Sequence, residues 1–142
     1  ADWNDRETMR QRGSKGCLRS LKMRDCSLGS EAAQGIAKEL GRNPALIGLD
    51  LCQSGIGGTG VASVAVALGS NPKYMRDFNT TLTSLNLQCC EAFASGATHV
   101  GGMLRANLFL RTLVFSDNAI GAEGATAIAE ALKINEGLAD LR

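Results

Sequence analysis

Gly55, Gly57 and Gly60 stand in the hexapeptide GIGGTG, with VASVAVAL directly behind it. This is the G-x-G-x-x-G spacing with which a glycine-rich turn brings backbone N–H groups up to a pyrophosphate at a helix start. The apolar segment Leu49-Asp50-Leu51 precedes it, and Asp77 follows at a distance suited to a ribose hydroxyl. A second chemistry to consider is that of thiols, with five cysteines at 17, 26, 52, 89 and 90. They show no C-x-x-C spacing, and the single histidine, His99, is too little to complete a zinc site with them. No basic cluster flanks Cys52 or Cys89 to hold either as a thiolate. No carboxylate or nucleophile recurs beside His99, so no catalytic arrangement is indicated. Metal, cofactor and small-molecule substrate are accordingly not expected. What the glycines do depends on the elements that carry them.

The 142 residues, 44% of them hydrophobic, are enough for one core and suggest one domain. Fifteen basic and fourteen acidic residues leave a net charge of +1, without the field of a nucleic-acid binder or a polybasic membrane protein. No apolar run reaches the ~18 residues of a spanning helix. With an odd set of scattered cysteines and no signal peptide, these features lead to the expectation of a soluble protein with reduced thiols, cytoplasmic or nuclear. A chain that opens on Ala1 and stops at Leu141-Arg142 reads as a fragment of something longer.

The decisive pattern is internal repetition. Units begin at Leu18, Leu46, Leu82, Leu110 and Leu138, in steps of 28, 36, 28 and 28 residues, the longer step carrying an insertion at about 72–79. Each unit opens with apolar residues at L-x-x-L-x-L, as in Leu46, Leu49 and Leu51 or Leu110, Leu113 and Phe115, and the last two alternate as in a strand. Farther on, Ala125, Ile128, Ala129 and Leu132, and their equivalents in the other units, fall at helical offsets of three and four. Strand, turn and helix repeat, and no unit can bury its apolar side alone. In this register Gly57 aligns with Gly29 and Gly121, and Gly60 with Gly96 and Gly124, so both are assigned to a turn common to the units. Gly55, opposite Ser27, Glu91 and Ala119, is left unexplained by the repeat, and nucleotide binding ranks last among the readings.

The unit 110–137, with Asn118 through Lys133 reading N-x-I-G-x-x-G-A-x-A-I-A-E-A-L-K, resembles a leucine-rich repeat of the ribonuclease-inhibitor-like subtype, and the resemblance extends over about 17–142. It implies an α/β solenoid, with parallel strands on the concave face and α-helices on the convex face, in four full repeats and a partial fifth. The family pattern gives the position of Asn118 a capping task that Cys26 and Cys90 perform in its cysteine variant. Ser54 departs from it, which marks the second turn as the loosest. The resemblance also implies a binding module: a non-enzymatic protein–protein interaction scaffold within a larger assembly, possessing protein partners but neither nucleic acid nor membrane. The alternative is a regulatory or sensor domain acting on a GTPase or signalling partner. A cytoskeletal or ciliary setting is compatible with either.

Three surfaces are candidates. On the concave face the outward strand residues form rows, and those expected to contact a partner are Lys22, Asp50, Asn86 and Val114, then Arg24, Cys52, Gln88 and Ser116. Lys22 and Asp50 are expected to pair across adjacent strands. On the helix face no charge occurs from Gln53 through Pro72 or from Ala92 through Leu104, and Ala62, Val66, His99 and Met103 are expected to form a bare patch across the second and third helices. The insertion contributes Tyr74, Met75, Arg76 and Phe78 as a contact loop. Plain solvation of the first two surfaces, and folding back of the loop's aromatic rings, are the competing readings. Residues 1–16, with Trp3, read as a polar linker or N-terminal cap, and the Leu138–Leu141 strand start as an end that more chain or another subunit covers.

Overall fold

The computed structural model describes residues 18–69 and 79–142. Trp3, Cys17, Asp77 and the four candidate residues of the insertion lie outside them. Each described unit is a short strand followed by a helix: β1 Ser20–Lys22, α1 Gly29–Leu40, β2 Gly48–Asp50, α2 Gly57–Leu68, β3 Ser84–Asn86, α3 Phe93–Ala106, β4 Thr112–Val114, α4 Gly121–Leu132 and β5 Asp140–Leu141. The strands form one parallel sheet in sequence order, β1 to β5. Leu21, Leu49, Leu85 and Leu113 are direct partners across it, and Leu141 continues the row. The two-residue alternation of each strand turns this row, and Leu51 and Leu87 beyond it, toward the helices, where Leu49, Leu51, Leu85, Leu87 and Leu113 are buried. They meet Val61, Val64 and Leu68 of α2, Val100 and Leu104 of α3, and Ile128 of α4 in one continuous core. Full burial of each such side chain contributes about 1.5–3 kcal/mol, more than a three-residue strand can supply by its own hydrogen bonds. The leucine-rich solenoid expected from the repeat is the fold observed.

Between strand and helix the backbone zigzags. Positive φ recurs at alternate positions in all four units: Asp25, Gln53, Cys89 and Asp117; then Ser27, Gly55, Glu91 and Ala119; then Gly29, Gly57, Phe93 and Gly121. The repeat therefore does account for Gly55, contrary to the expectation from residue types alone. At φ +64° it occupies without strain a conformation that Ser27, Glu91 and Ala119 adopt at φ 46°, 56° and 49°. Gly60, by contrast, is not part of the turn. It lies in the first turn of α2, where a Cβ would come within 2.9 Å of the Ala33 Cβ on α1, so its role is close helix approach. Gly124 does the same for α4, 2.6 Å from the Ala97 Cβ. Ala119→Gly is expected to raise the unfolding free energy by about 0.5 kcal/mol, and Gly55→Ala to lower it by about 1 kcal/mol, in urea titrations of the two variants.

Two ladders of polar side chains clamp the strand ends, one of mixed residue types and one of asparagines. At the turn, buried Asn118 accepts from the N–H groups of Cys90 (2.9 Å) and Ala92 (3.2 Å) and donates to the carbonyls of Leu87 and Phe115 (2.8 and 2.9 Å). Cys90 holds the same place one unit earlier, its Sγ–H reaching Leu51 O at 3.1 Å. The looseness expected of the second turn is not observed, because Ser54 is fully buried and its hydroxyl donates to that same Leu51 carbonyl at 2.5 Å. At the other strand end, Asn79 Nδ2 donates to Leu40 O and Asn107 Nδ2 to Leu68 O, both at 2.8 Å, while Asn135 Nδ2 reaches Leu104 O at 2.6 Å. Each side chain also accepts from the amides two and three residues on, as Asn43 does. Asn79, assigned from the sequence to the insertion, thus occupies the register of Asn107 and Asn135.

Candidate protein-binding surfaces

On the sheet face turned away from the helices, the expected rows are in register: Lys22 beside Asp50, Asp50 beside Asn86, and Asn86 beside Val114. Beyond the strand ends, backbone bonds from Asp25 N to Cys52 O, Gln53 N to Gln88 O and Cys89 N to Ser116 O keep Arg24, Cys52, Gln88 and Ser116 aligned as well. The pairing expected between Lys22 and Asp50 is replaced by another. Arg24 Nε donates to Asp50 Oδ2 at 2.6 Å, and its guanidinium completes an ion pair with the same oxygen. The longer, planar guanidinium reaches diagonally across the wall to a carboxylate from the strand end, leaving the directly opposite ammonium in solvent. Asp50 raises the Arg24 pKa further above its usual value, first through that hydrogen bond and then through its charge.

Asp50 and Asn86 share a second task. Their Oδ1 atoms accept from Cys52 N at 3.1 Å and Gln88 N at 3.0 Å, two residues on, so they shape the strand exits as well as face outward. Gln88 Nε2 in turn donates to Asp117 Oδ2 at 3.0 Å. The face is a lattice of polar groups already fixed by neighbours, with Lys22 exposed and Cys52, Val114 and Ser116 half-buried. Burial raises the Cys52 thiol pKa, and burial pushes Cys90 up to about 11, so neither is poised as a nucleophile at neutral pH. Among the described residues no group of three or more His, Cys, Asp or Glu side chains is placed to hold a metal ion.

The helix face differs from the expected patch. Val66 is 67% exposed and His99 is exposed, its Nδ1–H donating to Ser95 O at 2.8 Å, whereas Met103 is only 2% exposed. Position 103 aligns with Ala131, which is also buried, whereas Glu39, the equivalent on α1, is exposed. Residue 102, which does align with Val66, is a glycine. Val66 and Ala62 instead line a channel of about 510 Å³ on the other side of α2, between it and α1. A separate, open apolar hollow of about 500 Å³, lined by Phe115, Ile120, Ile128, Leu132 and Leu141, lies at the β5 end. No helix among the described residues is long and apolar enough to cross a membrane.

A family model described as Leucine Rich repeat matches residues 78–94 and 106–129. The chain is similar to ribonuclease inhibitor of Sus scrofa, 34% identical over 119 residues, which cover 83% of this chain and 25% of that protein. It is also similar to NACHT, LRR and PYD domains-containing protein 12 of Homo sapiens, 32% identical over 116 residues, covering 82% of this chain and 10% of that protein. The chain thus spans about a quarter of the first relative's length and a tenth of the second's. Among solved structures, Leiomodin-1 Actin-Binding Site 2 (ABS2) superposes with a TM-score of 0.77, covering 99% of this chain and 79% of that one; at 21% identity the likeness is one of fold.

Proposed function

Because the chain is a leucine-rich repeat protein of ribonuclease-inhibitor-like build, we propose that it serves as a non-enzymatic scaffold for protein partners, engaged through the sheet face. The observation that carries this reading is the register-locked lattice on that face. Asp50 and Asn86 are held by hydrogen bonds to the backbone two residues on, and Gln88 by Asp117. Side chains fixed before contact lose little entropy on binding, which favours a docking wall. The partner belongs to a cytoplasmic setting, cytoskeletal or ciliary, and the insertion with Tyr74, Met75, Arg76 and Phe78 supplies further contacts. A second reading, a regulatory or sensor domain acting on a GTPase or signalling partner, is favoured by the similarity to the NACHT, LRR and PYD protein over 82% of the chain.

The test is affinity capture from native lysate with the wild-type chain, a Lys22→Glu/Asn86→Lys variant, and a Gly102→Ala control. A protein retained by the wild type and the control but absent from the strand-face variant is the expected result. Identical captured sets from all three would remove the sheet face from the function.

A further inference from the structure

We propose that the channel between α1 and α2 seats an amphipathic helix of a partner protein whose flanks carry carboxylates. This rests on the reading that the chain binds proteins, and it adds a second face and the chemistry of what docks there. The channel is lined on both helices at helical spacing, by Gln34, Ala37 and Lys38 on α1 and by Ala62, Val66 and Ala67 on α2. Such spacing makes a trough parallel to the helix axes, and from Ala62 to Ala67 alone it runs about 7.5 Å. Its small side chains allow close approach of another backbone. Val66, the most exposed large apolar side chain among the described residues, projects as a ridge for apolar residues at i, i+4 and i+7 of an incoming helix.

Charge selects the flanks. Lys38 and Arg42 line the channel and no carboxylate does. Among the described residues neither cation forms an ion pair, in contrast to Arg24, Arg105, Lys133 and Arg142. Glu39, on the same helix, borders the hollow on the opposite side of α1. α2 has neither acid in its first turn nor base in its last, so Lys38 of α1 and Arg42 in the turn just beyond it set the sign of the whole channel. An acidic-flanked helix is complementary to it; a basic one is repelled.

The probe is a fluorescein-labelled, hydrocarbon-stapled helical peptide with Leu at i, i+4 and i+7 and Glu on both flanks, titrated by anisotropy at low salt beside its Lys-flanked twin. The Glu peptide is expected to bind the full chain at least about tenfold more tightly than the Lys peptide, with affinity falling as salt rises. Val66→Glu should weaken it at least about tenfold. Lys38→Glu/Arg42→Glu should reverse the preference, a gain that a misfolded variant could not produce. Gly102→Glu, at the register of Val66 on α3, should leave binding unchanged. Equal affinity for the two peptides, or binding indifferent to Val66→Glu, would overturn the proposal. So would sedimentation showing that a second copy of the chain fills the channel. If the peptide fails while capture through the sheet face persists, the channel falls and the scaffold reading stands; if both fail, both fall.

Discussion

Asn118→Ala is expected to lower the unfolding free energy by about 4 kcal/mol, read as a shifted urea midpoint at unchanged slope. The side chain is buried and joins two units: its oxygen receives the amides of Cys90 and Ala92 and its nitrogen supplies the carbonyls of Leu87 and Phe115. Truncation deletes one residue's atoms but strands several backbone groups in a dry turn, each costing about 1–3 kcal/mol when unmet. Asn118→Cys, which installs the residue type of Cys90, should recover part of the loss by returning a donor to Leu87 O, as Cys90 donates to Leu51 O at 3.1 Å. Equal losses for the two variants would mean that the cross-unit bond contributes little.

Gly124→Val is expected to cost about 3 kcal/mol, whereas Gly102→Ala in the adjacent helix should gain about 0.5–1 kcal/mol. Both are helix glycines, and what sets them apart is chiefly what stands beside them. A Cβ on Gly124 would lie 2.6 Å from the Ala97 Cβ and 3.0 Å from the Ile120 Cβ, so α4 must retreat from α3 to admit it. A Cβ on Gly102 would meet no atom within 4 Å beyond its own helix backbone, and the added methyl only removes the entropy penalty of glycine in a helix. Thermal unfolding of the two variants against the parent separates the cases by sign. A Gly124→Val protein as stable as the parent would mean that the helix layer is looser than these distances require.

The strands and helices were legible because burial alternates along one and recurs every three to four residues along the other, and because four units repeat the pattern. The φ pattern at Gly55 was not, since Ser27, Glu91 and Ala119 adopt positive φ there without being glycines. Three residues held at positive φ against their own preference hid a backbone constraint that only the glycine displays. Asn43, Asn79, Asn107 and Asn135 did carry a readable signal, an asparagine recurring in steps of 36, 28 and 28, but it was masked by the insertion. Among the site residues, row membership on the sheet face followed from alternation. The partner of Asp50 did not, because side-chain reach rather than register decides between Lys22 and Arg24. Met103 was misplaced for a related reason: a helix in a stack has flanks as well as an inner and an outer side, and absence of charge does not distinguish a flank from a bare exterior.

Among the described elements each helix touches no other helix but the one before and the one after it, and each strand pairs only with its sequence neighbours. A pull on the first and last described strands therefore meets, among the described residues, no clasp linking distant parts. Load passes through one seam at a time, and the molecule yields by peeling from an extremity while its middle keeps its shape. A partner gripping two adjacent coils would act as a rivet across the seam between them, so that tension and recognition are coupled through the same row of residues.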